Sequence, residues 1–280
     1  PVSIKAVGAV KDDSYAIHLL GKLETFLYRK AARIVSVTNS FATVLIDRGI
    51  DGSKIDVVTN GVDLSRFRLQ PKDVELVERY GLKGKFVAGY IGTHGMAHAL
   101  ETVLEAAGEM QKREDGDRFR FIFLGHGARK QALLDKAKEM HLNNVIFLDT
   151  VPREEVSRYW SLLDTSIIHL KKEPTFTTVI PSKLFECMAM GIPVLHGVEG
   201  ESAEIVNENR IGLTFEPENA RQLVERLEQL GNDADLQDIF RKNCVATAEK
   251  YDRNILAEKM LACLEGVVAR SSRADETICP

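Results

Sequence analysis

Long apolar runs are missing from this 280-residue chain. None reaches the roughly 20 consecutive apolar residues that a bilayer-spanning helix needs. A secretion-type leader is not expected either. Cysteine is scarce, with four residues, Cys187, Cys244, Cys263 and Cys279. No two of them make a CxxC pair, and none shares a metal-ligand spacing with a histidine. That argues against a structural zinc or disulfide framework and predicts free thiols in a reducing cytosol. A basic excess is lacking too: 37 Lys+Arg stand against 41 Asp+Glu, for a net charge of −4. The basic residues are scattered, so nucleic acid is not the expected partner. Repeats and low-complexity tracts are absent as well. What is present, 44% hydrophobic and 28% charged residues, is the composition of a soluble globular protein. The length allows one large domain or one and a half ordinary ones.

Element signals alternate along the chain. Asp13 precedes Ala16, Leu20, Leu23 and Leu27 at helical spacing and is the expected cap of a first helix. A β-rich run at 33–37 follows, then a helix capped by Ser40 and ended by Gly49, then a strand at 55–58. Asn60-Gly61-Val62-Asp63 is a turn signal. Residues 1–63 thus read as the end of an α/β unit without its beginning. After a linker with Pro71 and a short helix stopping near Gly81, the pattern restarts. Strands are expected at 86–91, 119–124, 145–148, 166–170, 193–196 and 212–215. Between them lie helices at 100–110 and 129–140, one opened by Pro152, one opened by Pro181 and ended by Gly191, and one at 203–207. Only helices follow, to about residue 268, and 271–280 reads as a loose polar tail. Such alternation predicts α/β architecture: a Rossmann-like, doubly wound parallel sheet with helices on both faces. Ligands of such sheets sit beyond the carboxyl ends of the strands. The informative loops are therefore 92–98, 125–129, 149–152 and 170–182.

Those loops carry chemistry. The first strand runs into Gly92-Thr93-His94-Gly95, where glycines let backbone N–H groups approach a phosphate, and His94 and His98 offer charge or hydrogen bonds. Gly125-His126-Gly127 repeats the design after the second strand. In the segment from Pro181 to Val194, unpaired amides at a helix start, with Ser182 and Lys183, make a candidate diphosphate site. Glu186 sits one turn in, between apolar neighbours, and a carboxylate there suits two ribose hydroxyls. Against this, a surface histidine without a role, a tight turn without a ligand and a solvent-facing glutamate are the plainer readings of the same residues. Asp233-Ala-Asp235 resembles a metal-binding DxD, but its place between two helices makes it a cap.

At this point four segments resemble a known family. PSKLFECMAMGIPVLHGVEGESAEIV (181–206) is similar to the donor-site segment of GT-B glycosyltransferases of family 4, in the branch acting in bacterial lipopolysaccharide, O-antigen and capsule synthesis. Residues 55–67 resemble its IxVxxNGVDxxxF crossing between two domains, 90–100 its YxGTHGxAxxL loop, and 144–156 its NVxFLxxVPxEEV, whose loop backbone holds the base. The resemblance implies that Glu186 holds the donor ribose. It further implies a donor site drawn from Gly92, Thr93, His94, Gly95, Gly125, His126, Gly127, Thr150, Val151, Thr178, Val179, Ile180, Ser182, Lys183 and Glu186. The earlier glutamate of the family's E-x7-E falls on Thr178, and the family's Arg and Lys of the first loop fall on Thr93 and His98. The cation for the leaving diphosphate is then expected from Lys183, with Lys171 and Lys172 as weaker candidates.

The resemblance implies a retaining, metal-independent transfer from a nucleotide-sugar donor, a UDP-sugar, with no cofactor. The implied acceptor is a lipid-linked saccharide and the place the cytoplasm, at the inner face of the cell membrane. The division expected is 1–66 as the last elements of an N-terminal acceptor domain, 67–252 as the donor domain, 253–270 as a helix packing back, and 271–280 as tail. The chain is read as a C-terminal fragment, inactive by itself, whose catalytic acceptor-side residues are not identified. Rival readings are a nucleotide-sugar epimerase and a nucleotide-binding module without catalysis. An NAD enzyme of the short-chain type needs Tyr-x-x-x-Lys, and none of the six tyrosines has a lysine four residues on.

Overall fold

The computed structural model describes residues 15–276. Asp13, the expected first cap, and Cys279 lie outside the described residues. The chain opens with α1 (Tyr15–Lys30), β1 (Ile34–Ser36), α2 (Asn39–Asp47) and β2 (Ile55–Val57). β1 and β2 pair in parallel, Ile34 opposite Ile55, over a small core of Ile34, Leu45 and Ile50. Thr38 caps α2, its Oγ1 accepting from the Phe41 amide at 3.1 Å. The expected cap, Ser40, lies inside the helix instead.

The second unit starts with α3 (Val74–Arg79) and β3 (Phe86–Ile91). Then come α4 (Glu101–Gln111), β4 (Phe119–Leu124), α5 (Lys130–Glu139), β5 (Val145–Leu148), α6 (Val156–Trp160) and β6 (Thr165–His169). It continues through α7 (Lys183–Ala189), β7 (Val194–Gly197), α8 (Glu201–Glu208) and β8 (Gly212–Thr214). α9 (Ala220–Asn232), α10 (Ala234–Ala248) and α11 (Arg253–Glu276) end the chain. The six strands form one parallel sheet in the order β5-β4-β3-β6-β7-β8. β3 is buried along its whole length, which is why it reads as a near-continuous apolar run. Its side chains alternate. Val87 and Ile91 join the layer holding Trp160, Leu184 and Phe185, while Phe86, Ala88 and Tyr90 join the layer holding Leu104, Leu133 and Leu227. At Gly89 a Cβ would overlap the Leu163 side chain, which packs directly on the strand backbone there.

Strand order fixes the site. From β3 the chain winds outward to β4 and β5, then returns to place β6 on the other side of β3. The switch point therefore lies between β3 and β6, where loops on opposite faces part and leave a crevice.

Several boundaries depart from expectation. Pro152 opens a turn, and α6 starts only at Val156. Pro181 lies ahead of α7, whose seven residues start at Lys183. The amides of Leu184 and Phe185 close tightly onto the Pro181 and Ser182 carbonyls at 3.0 and 3.1 Å, so fewer donors point outward than a longer helix start would offer. The stretch 175–180, read as an open loop, holds a 3-10 turn over Pro174–Thr178. α11 runs to Glu276 rather than stopping near 268, because no glycine or proline interrupts 267–276. Asp233 caps α10, accepting from the Leu236 amide at 2.8 Å, in keeping with the rejection of a metal there.

Two of the contacts between the units are networks of hydrogen bonds. The Val62 amide donates to the Tyr251 carbonyl at 2.9 Å, and the Arg253 amide to the Val62 carbonyl at 3.0 Å. A Cβ on Gly61 would overlap that Tyr251 carbonyl, which explains the glycine of the Asn-Gly-Val-Asp turn. Across the other contact the Glu201 carboxylate accepts from the Asn39 amide (3.1 Å), the Asn39 side chain (2.8 Å) and the Ser40 amide (2.7 Å).

Candidate functional site

A cleft of about 500 Å³ opens beyond the carboxyl ends of β3, β4 and β5. Gly92, Thr93 and His98 line it from the first loop, Gly125 and His126 from the second, and Thr150 and Val151 from the third. Ser182, Lys183 and Glu186 close it from the α7 side, and Ile91, Leu124 and Val156 supply apolar walls. The loops are stitched together by backbone bonds. The Gly92 amide reaches the Leu124 carbonyl at 2.9 Å, and the Gly125 amide the Leu148 carbonyl at 3.2 Å. Gly125 has φ +143°, and a Cβ there would overlap the Gly92 carbonyl, so two loop backbones approach as closely as glycine permits. Lys130, which sequence reasoning passed over, ties the same rim with its Nζ on the Gly125 carbonyl (2.9 Å), the Leu148 carbonyl (3.0 Å) and Asp149 (2.5 Å).

Charge is concentrated at one end. The Lys183 ammonium is buried, has no hydrogen-bond partner, and stands 3.5 Å from the centroid of the Tyr90 ring. Burial lowers its pKa to about 7, although Cys187 and Glu186 pull it upward. Three residues on, burial raises the Glu186 carboxyl, while the Lys183 charge, Trp160, Arg253 and Arg66 hold it down. An acid that is half-desolvated and a cation without an acceptor therefore share one cleft. Both are groups that gain from a polar ligand.

Not every sequence-derived residue is there. His94 is fully buried, with both ring nitrogens unpartnered, among Tyr90, Phe123 and Phe147. The expected diphosphate contact is corrected accordingly: its side chain is packed in the core, and burial lowers its pKa to about 4. Gly95 and Gly127 lie outside the cleft lining, where Gly127 makes room for the His94 backbone. Thr178, Val179 and Ile180 lie outside it too. Thr178 faces the first unit, its carbonyl accepting from Thr38 Oγ1 at 3.0 Å, and Ile180 is buried. Of the weaker cation candidates, Lys172 pairs with Glu216 at 2.5 Å, and Lys171 lines a neighbouring cavity with Glu101 and Arg129. His98 does line the cleft. Its carbonyl accepts from His169 Nδ1 at 2.8 Å, and the Glu218 amide donates to His169 Nε2, so His169 is the Nδ1–H tautomer. Among the described residues Cys187, Cys244 and Cys263 are free, and no group of three or more His, Cys, Asp or Glu could hold a metal ion.

Residues 75–249, more than half of the chain, match the family of glycosyl transferases group 1. The chain belongs to that family. Residues 12–66 match Glycosyltransferase Family 4. This group 1 glycosyl transferase is 24% identical to the probable glycosyltransferase WbjE of Pseudomonas aeruginosa, over 97% of this chain and 67% of that protein. Its fold is that of HepE from Anabaena, solved in complex with UDP-glucose, at a TM-score of 0.76 and 18% identity over 88% of this chain and 67% of that one. WaaG, a glycosyltransferase involved in lipopolysaccharide biosynthesis, superposes at a TM-score of 0.69 and 17% identity, over 81% of this chain and 61% of that one. The chain spans about two thirds or less of the length of these proteins. These likenesses establish a GT-B-like fold.

Proposed function

We propose that the 280 residues bind the donor of a sugar transfer, a UDP-sugar, in the cleft between the β3–β5 loops and α7. The observation that carries this reading is the presence of an acceptor-free ammonium, Lys183, and the half-buried carboxyl of Glu186 in one crevice at the sheet's switch point. The glycine turns at Gly92 and Gly125 let the diphosphate approach the backbone. Lys183 and Ser182 meet its charge, Glu186 takes the ribose hydroxyls, and Thr150 and Val151 flank the base. His126 closes the side of the diphosphate.

The reaction class is cleavage of the bond between the sugar C1 and the diphosphate oxygen, with a new bond from C1 to an acceptor hydroxyl. Negative charge grows on the departing diphosphate, and fixed donors placed where it grows stabilise that change more than they stabilise the bound donor. Donor binding is the part proposed for this chain itself. Retention of configuration, independence of a divalent metal, a lipid-linked saccharide acceptor and a place at the cytoplasmic face of the membrane follow from the family resemblance. The relatives and the resemblance support a role in surface polysaccharide or lipopolysaccharide synthesis. The same reading divides the chain at 66/67 and 252/253.

Calorimetry of UDP binding tests it. Glu186→Ala removes two charge-assisted hydrogen bonds, so affinity is expected to fall about 30- to 100-fold, or about 2–3 kcal/mol, with the fold intact by circular dichroism. Equal affinity in both proteins would take Glu186 out of the site.

A further inference from the structure

The Lys183 ammonium is held in an arrangement that is incomplete as it stands. Its Nζ is shut off from solvent without an acceptor, over the face of Tyr90. Resting on the donor-site reading above, we propose that Tyr90 is a positioning residue. Its ring parks the Lys183 side chain, uncommitted, beside the diphosphate position, and capture of the diphosphate draws one proton from solvent onto Lys183.

The geometry supports each part. The Tyr90 hydroxyl donates to the Thr93 carbonyl at 2.8 Å, which fixes the ring and ties it to the glycine loop of the cleft. Tyr90 is itself buried, so its ring cannot swing away. A Cβ on Gly92 would stand 3.1 Å from Nζ, close enough to push the ammonium aside by a few tenths of an ångström. An aromatic face attracts a cation, but less than water does, so the parked amine loses its proton more readily than an exposed one. A bound diphosphate reverses that balance, because it pairs and hydrogen-bonds with the charged form.

The titratable groups facing Nζ are Glu186 and Cys187 on its own helix and Tyr90, His94 and His98 on β3 and the loop that follows. Lys183 stands at about 7, His94 and His98 are lowered to about 4, and Cys187 is raised to about 12. Burial raises Tyr90 far above its ordinary value. Near pH 8 it is therefore Lys183 that changes charge. Below its folded value the amine is already charged and no proton need move. Above it, binding must supply one.

UDP-glucose is a suitable probe, because its pyrophosphate diester carries no proton to exchange in this range. Calorimetry in buffers of different ionisation enthalpy counts the protons taken up. The expected result is roughly 0.9 proton per UDP-glucose at about pH 8 and roughly 0.1 at about pH 6. Affinity should weaken roughly 50-fold between about pH 7 and about pH 9. Tyr90→Phe, which keeps the ring, should retain the uptake. Lys183→Met should abolish it and give weak binding without pH dependence. Tyr90→Leu keeps the amine buried but removes the ring face that holds it, so it should retain the uptake and weaken binding roughly tenfold even at about pH 6; unchanged affinity would remove Tyr90 from this role. Should that variant fail to fold, Tyr90→Met, which keeps most of the volume without the ring face, is read in its place. Firm binding with heats that do not depend on the buffer at about pH 8 would overturn the inference and leave the donor site standing. Failure to bind UDP-glucose even at about pH 6 would overturn both.

Discussion

Glu201 ties the first unit to the second, and its removal has a calculable effect. Its carboxylate accepts three hydrogen bonds within 3.1 Å from Asn39 and Ser40, in the first turn of α2. Two of these come from backbone amides at the positive end of that helix, where a carboxylate is favoured. Burial acts to raise the Glu201 pKa, but the bonds from Ser40 and Asn39 outweigh it and hold the group below its ordinary value. Charge-assisted bonds of this kind contribute about 1.5–3 kcal/mol each, with less than additive sums within one network. Glu201→Ala should therefore weaken docking of the first unit by about 3 kcal/mol, with Thr38 to Thr178 as the remaining polar tie nearby. Hydrogen exchange read by mass spectrometry is the assay. Amides in 34–57 should exchange about 100-fold faster, and those in 86–214 should be unchanged. A depressed folded pKa also sets the sign with pH: the contribution is complete above the unfolded value of about 4.3 and is lost as pH falls through the folded value. In the wild type, protection of 34–57 should thus drop on acidification, and in Glu201→Ala it should not. Equal exchange in both proteins, or equal acceleration in the two units, would refute the docking role.

Gly125→Ala forces an L side chain into φ +143° and onto the Gly92 carbonyl, so it should cost about 3 kcal/mol or more and lower the melting temperature by about 6–12 °C. An unchanged melting temperature would mean that the two loops separate easily. The imidazoles of His196 (about 3), His94 and His98 (about 4) and, by direction, His169 are all lowered by burial. They are neutral in the folded state and protonate near their ordinary value when unfolded, so stability should fall as pH drops from about 6.5 toward 4. Melting curves at about pH 7 and about pH 4.5 read the fall, His196→Gln should shrink it, and a flat profile would contradict it.

The strands were legible because short apolar runs between turn residues leave a signal that nothing distant can alter. Phe86–Ile91, Phe119–Leu124 and Val145–Leu148 match expectation to the residue. Helix starts were less so. Thr38, Asn39 and Ser40 are all good caps, and the choice among them depends on Glu201, a residue about 160 positions away that occupies the Asn39 and Ser40 amides. His94 failed for a similar reason. A histidine between glycines after a strand reads as exposed, yet Phe123 from β4 and Phe147 from β5 form an apolar slot into which its ring packs. Local sequence carries no trace of that slot, since its walls come from the neighbouring strands.

The place of Lys183 on the cleft wall was legible for the opposite reason: the helix it begins, the apolar run after it and Glu186 one turn on are all local. Where the family's first loop has Arg and Lys, this chain has Thr93 and His98, and burial leaves His98 neutral at physiological pH. A cation moved from a loop to a helix across the cleft gains a fixed origin but loses reach, because its stem must run through the core. That places demands on the opposite wall. Position 92, without a Cβ, leaves the ammonium room, Tyr90 presents a ring face, and Thr93 supplies the carbonyl that holds the ring. On the donor reading proposed above, the glycine turn after β3 does two things at once: it opens the backbone to a phosphate and leaves room for the ammonium that meets it.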